Sequence, residues 1–280
     1  MKKLILLFAT LLLTAVFSKN VFAGPPFNNL EGVGGVAFNP LAYLAEGDSD
    51  FKIGNQEIIG KPRFGAWYVN LGDPKIDWTS IGVADTLFKR LEISYGYQTV
   101  GWVDHPTFHK NNVGAKLLLL DENSFDSKIV PALSIGTIYK TTSAKGIHQL
   151  GLPLRASGQD WYAVATKTIT QLPVPVIISG GVLSSQEFVT GVLGFHNKRK
   201  TTGFANINVV LPHGFVVGWE FKQGEQFVAY KNNNYWDTHL AWLANKNLTI
   251  IAAYTATGSY TNSTRQGLGN GFVLSAQYAF

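Results

Sequence analysis

Toward the C-terminus, apolar and polar positions alternate with a period of two. Phe272, Leu274, Ala276, Tyr278 and Phe280 fall on one face, against Gly271, Val273, Ser275, Gln277 and Ala279 on the other. Leu248, Ile250, Ala252, Tyr254 and Ala256 likewise oppose Thr249, Ile251, Ala253, Thr255 and Thr257. Trp236, Thr238, Leu240 and Trp242 oppose Asp237, His239 and Ala241, and Phe215, Val217, Trp219 and Phe221 oppose Val216, Gly218, Glu220 and Lys222. Successive side chains of a strand point to opposite faces, so this pattern predicts four strands with two unlike surfaces. The apolar face carries Trp, Tyr and Phe near strand ends, as the aromatic girdles of a membrane barrel do, and the other face is mostly small or polar. A soluble sandwich also alternates, but its outer face carries many Lys and Glu, whereas only 15% of this chain is charged.

Connections in this region alternate in length. Residues 212–214 and 245–247 are short, while 223–234 and 258–270 are long and rich in Asn, Gly and Gln. That alternation is expected of a barrel with short periplasmic turns and long outer loops, with the last strand ending in the periplasm. Further upstream, strands are expected at 61–71, 76–84, 91–100, 113–120, 129–140, 161–169 and 202–211, with two more between 174 and 197 and an opening strand over 31–45. The sum is an all-β, antiparallel transmembrane β-barrel of roughly 12–14 strands, within the range for such barrels. A count of 14 puts the long connection 141–159 on the side of the short turns. Either a strand hides in 51–59 and the two strands between 174 and 197 are one, or the loop-length rule fails here.

At the other end, Met1-Lys2-Lys3 precedes an apolar run over residues 4–17 and then Val21-Phe22-Ala23. The run is shorter than the roughly 20 residues of a spanning helix, and small residues precede the expected cut, which predicts a signal peptide over 1–23 and one barrel domain over 24–280. Residues 1–23 contain Lys2, Lys3 and Lys19 and no acid, so 23 basic against 18 acidic residues become 20 against 18. A nearly neutral chain of this kind has no basic patch for nucleic acid. No cysteine is present, which excludes disulfides, thiol catalysis and Cys-ligated zinc.

The remaining chemistry is sparse. The histidines are His105, His109, His148, His196, His213 and His239; Pro106 separates the first two and no acid lies between them, so a helical zinc motif is excluded. No serine accompanies a histidine in a pattern like that of the outer-membrane phospholipase, and no enzyme is expected. The runs Gly32-Val33-Gly34-Gly35 and Gly267-Leu268-Gly269-Asn270-Gly271 lack the following Lys-Ser/Thr of a phosphate loop. Glu92, Lys116, Glu220, Lys222, Asp237 and His239 fall on the polar faces of their strands and are the candidate lumen charges. They can set ion preference, or pair across strands and fill the interior. Phe280, with Tyr278 two positions before it, resembles the C-terminal signature by which the barrel-assembly machinery recognises its clients.

Two stretches carry a family resemblance: Asn29-Leu30-Glu31-Gly32-Val33-Gly34-Gly35-Val36-Ala37-Phe38-Asn39-Pro40-Leu41-Ala42, and Gly65-Ala66-Trp67-Tyr68-Val69-Asn70-Leu71-Gly72 together with Ile81-Gly82-Val83-Ala84-Asp85-Thr86-Leu87-Phe88. They resemble domain-of-unknown-function family 3034 of Gram-negative bacteria, over nearly all of residues 24–280. The resemblance implies an envelope protein and carries over no catalytic motif and no cofactor. The expected role is a passive pore or transporter for a small solute in the outer-membrane lipid. The alternative is a non-conducting structural or accessory protein, for example in export of surface polysaccharide. A gated receptor with a plug domain is excluded by length, because about 22 strands are needed.

Overall fold

A computed structural model describes residues 27–45, 51–53, 56–262 and 264–280. The expected signal peptide, residues 1–23, lies outside the described residues.

Twelve antiparallel strands close into one barrel: β1 (Arg63–Leu71), β2 (Ile76–Leu87), β3 (Leu91–Trp102), β4 (Phe108–Leu120), β5 (Ala132–Thr141), β6 (Ser157–Ile169), β7 (Val176–Glu187), β8 (Phe195–Leu211), β9 (Phe215–Lys222), β10 (Tyr235–Leu243), β11 (Leu248–Ala256) and β12 (Asn270–Ala279). Each strand pairs with the next, and β12 returns to β1 from Gly271↔Leu71 to Ala279↔Arg63. An even number of strands puts the start of β1 and the end of β12 at one end of the barrel. This turn end has tight connections such as the turn after β2 and the 3-10 turn Pro212–Gly214, while 142–156, 188–194, 223–234 and 257–269 form the loop end.

Three sequence expectations change. Residues 31–45 form no barrel strand. The two strands expected between 174 and 197 are one, β7, followed by a loop and the start of β8. Among the described residues of 51–59, the ribbon Lys52–Ile53 with Gln56–Glu57 lies outside the barrel sheet, and Ile59 meets the end of β2 through a single bridge to Leu87. Together these corrections bring connection 142–156, with its helix α1 (Ala144–Gln149), to the loop end. The C-terminal half follows the loop-length pattern, whereas the N-terminal half departs from it: residues 121–131 at the turn end, with a 3-10 turn at Ser124–Asp126, are longer than 72–75 and 103–107 at the loop end.

The face assignments hold through β9–β12: Val217, Trp219, Trp236, Leu240, Trp242, Phe272, Leu274 and Tyr278 point outward, and Val216, Glu220, Asp237, His239, Ile251, Val273 and Gln277 are buried inside. Outward aromatics gather at two levels. Trp236 packs against Tyr254 at 6.0 Å, and Tyr68 against Phe272 at 5.9 Å, toward the loops. Phe215 and Trp242 at 6.3 Å and Phe64 and Phe280 at 5.5 Å lie toward the turns. Six residues separate Trp236 from Trp242, roughly 20 Å along the strand, and aliphatic side chains fill the space between. A closed sheet with this exterior satisfies every ladder hydrogen bond and meets hydrocarbon with apolar atoms.

Candidate functional site

The lumen is occupied by the chain itself. Residues 27–45 enter the barrel as an irregular segment with one small ribbon, Phe27–Asn28 with Gly34–Gly35, and every described residue in it is buried or nearly so. Pro40 and the turn at Gly32, where φ is +88°, keep it from joining the sheet. Among the described residues, all its backbone–backbone hydrogen bonds are internal, for example Leu30 N–H to Ala37 O and Asn29 N–H to Val33 O. Asn29 Oδ1 accepts the amides of Glu31 and Val33, and many of the other backbone groups are met by side chains of the wall, as a buried peptide group without a partner is costly.

Three wall charges make the main contacts. Glu220 accepts the amides of Ala37, Phe38 and Asn39 at 2.7, 3.0 and 3.2 Å, and has no Lys or Arg partner among the described residues. Glu92 accepts the amides of Gly34 at 2.8 Å and Ala45 at 2.7 Å, and pairs with Lys116 at 2.9 Å. Lys116 donates to the carbonyls of Gly34, Leu41 and Tyr43 at 2.8, 3.2 and 2.7 Å. Glu92 and Lys116 are direct cross-strand partners on β3 and β4, which puts a carboxylate and an ammonium side by side against the same segment. Neutral groups complete the attachment: Gln277 and Trp67 hold Asn28, Ser80 donates to Leu30 O, and Thr166 and Ser134 bind the amide and carbonyl of Ala42. The segment also packs on apolar lumen residues of β1, β9, β11 and β12, with Phe27, Val36 and Leu41 in one cluster with Trp67, Val69, Val216, Ile251 and Val273.

Space for the segment is set by glycines on the inner faces of β2 and β3. A Cβ on Gly96 would stand 2.5 Å from Glu31 O, and one on Gly82 would strike Asn28 and Gly32. Any larger side chain at either position would collide with the segment's backbone.

Toward the loops lies a second group of charges. Lys140 pairs with Asp160 at 2.6 Å and Glu187 at 2.9 Å, and contacts Glu31 of the inserted segment. Lys110 donates to Thr190 O at 2.6 Å and lies 3.7 Å from Glu31, while Lys222 pairs with Glu187. Above this group the loop 188–194 folds inward, with Phe188, Val189, Val192 and Leu193 buried against Ile147 of α1 and Leu268. A cavity of about 60 Å³ remains between the segment and this loop, room for a few waters. The lumen is thus closed twice, by the segment and by the loop.

All six sequence-selected charges are inside, but in different settings. Glu92, Lys116 and Glu220 grip the segment; Lys222 belongs to the loop-end group. His239 Nδ1 meets Asp237 Oδ1 and its Nε2 meets Asn208 Oδ1, each at 2.8 Å. That chain ends on an amide rather than a hydroxyl, so no activated nucleophile is formed. Tyr278 and Phe280 are outward on the last strand and pack on each other at 4.9 Å. Sequence reasoning missed Glu31, Lys110, Lys140, Asp160 and Glu187. Among the described residues no group of three or more His, Asp and Glu is arranged to hold a metal ion.

A closed antiparallel sheet with an apolar, aromatic-banded exterior and a polar, charge-lined interior defines a transmembrane β-barrel of the outer-membrane type. The chain belongs to the family described as "Protein of unknown function (DUF3034)", whose model matches residues 25–277. Among solved structures the KdgM porin is similar with a TM-score of 0.52 and 10% identity, over 78% of this chain and 99% of that one. The NanC porin has a TM-score of 0.48 and 12% identity, covering 78% and 98%. Outer membrane phospholipase A from Escherichia coli has a TM-score of 0.41 and 9% identity, covering 84% and 95%. At 10% identity the likeness to the KdgM porin is one of fold alone. Among curated proteins none matches this chain in sequence.

Proposed function

We propose that the protein is an outer-membrane channel for small solutes that its own residues 27–45 hold shut. The observation that carries this reading is the kind of bond that retains the segment. Side chains of the wall bind its backbone, so it can leave the lumen without breaking one rung of the barrel ladder. A segment built into the sheet would have no such freedom. The same reading places the barrel in the outer membrane of a Gram-negative bacterium after removal of residues 1–23, with the turn end in the periplasm and the strand carrying Tyr278 and Phe280 as the part the assembly machinery recognises. It assigns no catalysis: the barrel interior offers carboxylates and lysines already paired to each other or to the segment.

Planar-bilayer recording tests it. Wild type is expected to be closed most of the time, and Glu220→Gln and Gly96→Val, which remove a grip and the space for the segment, are expected to raise the open fraction. The inward loop 188–194 favours a second reading, a non-conducting structural or accessory envelope protein. Silent bilayers for wild type and both variants, with all three folded, would establish that reading over the channel.

A further inference from the structure

The outer wall carries an oblique groove of about 490 Å³ across β3–β8, from Leu91 near the turns to Thr201 toward the loops. It exists because outward positions there are small: Ala115, Thr137, Ala163 and Ser184 form its floor, while Leu117, Trp161 and Val182 stand up at its sides. Register explains the shape. Ala115 and Thr137 are cross-strand neighbours, as are Ser184 and Thr201; Trp161 stands between the two pairs, and the floor passes around it through Ala163, two residues further along β6. Its volume lies within the roughly 300–1,000 Å³ of small-ligand sites.

At its loop-end limit the groove meets a concentration of positive charge. Arg199 donates to Gln159 O at 2.6 Å and Ser184 O at 3.1 Å, which fixes its guanidinium over a residue that lines the groove. Lys198 and Lys200 flank it in the chain and are exposed at the rim, with Lys200 opposite Ser185 and so on the other face of β8 from Thr201; Arg155 is also exposed, held by its backbone pairing with Phe195 at the start of β8. The only acids in residues 144–160 and 184–202 are Asp160 and Glu187, and both are buried in the lumen. Nothing of opposite sign on these segments faces out to neutralise the cluster. A second outward groove, about 350 Å³ and lined by Phe64, Gly65, Ile81 and Tyr278, lies toward the turns beside the β12–β1 seam.

From this juxtaposition of an apolar trough with the Arg199 guanidinium at the loop-end limit of the trough, under a basic rim, we infer that the barrel binds one lipid with a phosphorylated headgroup, of the phosphoglycolipid class. The acyl chain lies along Ala115, Thr137 and Ala163, phosphate oxygens take the free donors of Arg199, and the rim lysines add to the positive potential there. A guanidinium suits that acceptor because its planar fork donates two parallel hydrogen bonds. The site rests on the transmembrane barrel and is independent of whether the lumen conducts.

Native mass spectrometry of the folded, detergent-solubilised protein titrated with diphosphoryl lipid A tests the site. One retained lipid per chain is expected, with affinity falling about fivefold for Arg199→Gln and further when Lys198→Gln and Lys200→Gln, which lower the positive potential of the rim, are added. Ala163→Trp, which fills the trough and keeps every charge, should weaken binding while the heat-dependent gel shift of the folded barrel is retained. Lipid A stripped of both phosphates, and phosphatidylethanolamine, should bind no better to wild type than lipid A binds to the triple variant. Wild-type affinity in both the charge and the trough variants would overturn the proposal, as would equal binding of the phosphate-free lipid. Displacement of lipid A by millimolar inorganic phosphate would show a surface cation cluster with no use for the trough. A dimer mass abolished by Ala163→Trp would give the trough to a second copy of the chain instead.

Discussion

The wall and the segment it encloses solve the same physical problem in opposite ways. Both must satisfy buried peptide groups. The wall does so by repetition, each strand using its neighbour, so that its stability is spread over twelve ladders and no single side chain is indispensable to the backbone pairing. The segment has almost no repetition to use. Its amides and carbonyls depend on individual side chains at Glu92, Lys116, Glu220, Ser134 and Gln277, drawn from separate strands. The wall is thus tolerant at any one inward position and the segment is not, which makes the segment the part that point substitutions can release.

The sharpest test of that contrast is Lys116→Met. It leaves Glu92 buried without its cation and three carbonyls without a donor, and breaking such a pair costs on the order of 3–5 kcal/mol. The expected outcome is loss of proteolytic protection over 27–45 while the heat-dependent gel shift of the barrel persists; loss of both would mean that segment and wall are one cooperative unit. Next in size is an outward change, Val217→Arg, expected to cost about 2–4 kcal/mol near the bilayer midplane and to lower folded yield in lipid without a selective effect on the segment. Glu220→Gln removes one acceptor oxygen from three amides and should weaken docking by about 1–3 kcal/mol, read as faster hydrogen exchange at Ala37, Phe38 and Asn39 against an unchanged wall. The smallest effect concerns the loop 223–234. Burial, reinforced by the nearby Glu187 carboxylate, pushes Glu225 up to about 7, and Asn232 donates to it at 2.7 Å. The closed loop therefore holds a proton that the open loop gives up from the ordinary carboxylate range onward. Closure should weaken as pH rises from that range to about 7 and stay level above it. Tryptic cleavage after Lys231, compared with Glu225→Gln at each pH, checks this; the ratio should change between pH 5 and 7 and be flat from 7.5 to 9.

How much of this was legible in the chain follows from the same contrast. Period-two patterning identifies a strand from its own residues, and parity alone placed Glu92, Lys116, Glu220, Lys222, Asp237 and His239 on the inner face. Residues 31–45 looked like an opening strand because they are rich in Val, Leu and Ala, yet Pro40 and the glycines at 32, 34 and 35 argue against one. What satisfies their backbone lies 58 residues away at Glu92 and 183 away at Glu220, and no local pattern records a partner at that distance. Other omissions came from strand ends. The expected ranges 113–120 and 161–169 stopped short of Lys110 and Asp160, which continue the inward rows of β4 and β6. Glu187 was lost when one long strand was divided into two. Inward glycines at 82 and 96 did carry a signal, since a lumen filled only by wall side chains would have little reason to leave both positions empty.

Gln277 has two neighbours that matter for the history of the molecule. Through β12 it belongs to the seam that joins the last strand to the first, and through its amide group it holds both the N–H and the C=O of Asn28. One strand therefore finishes the circle and the filling of its interior together. Contacts between residues so far apart in sequence are late and slow to form, and once the circle is shut, loop 188–194 obstructs one of the two ways in. The sequence of events this implies is a sheet that wraps around the segment before it closes, so that a barrel assembled around nothing would be a different object from one whose contents had later been withdrawn.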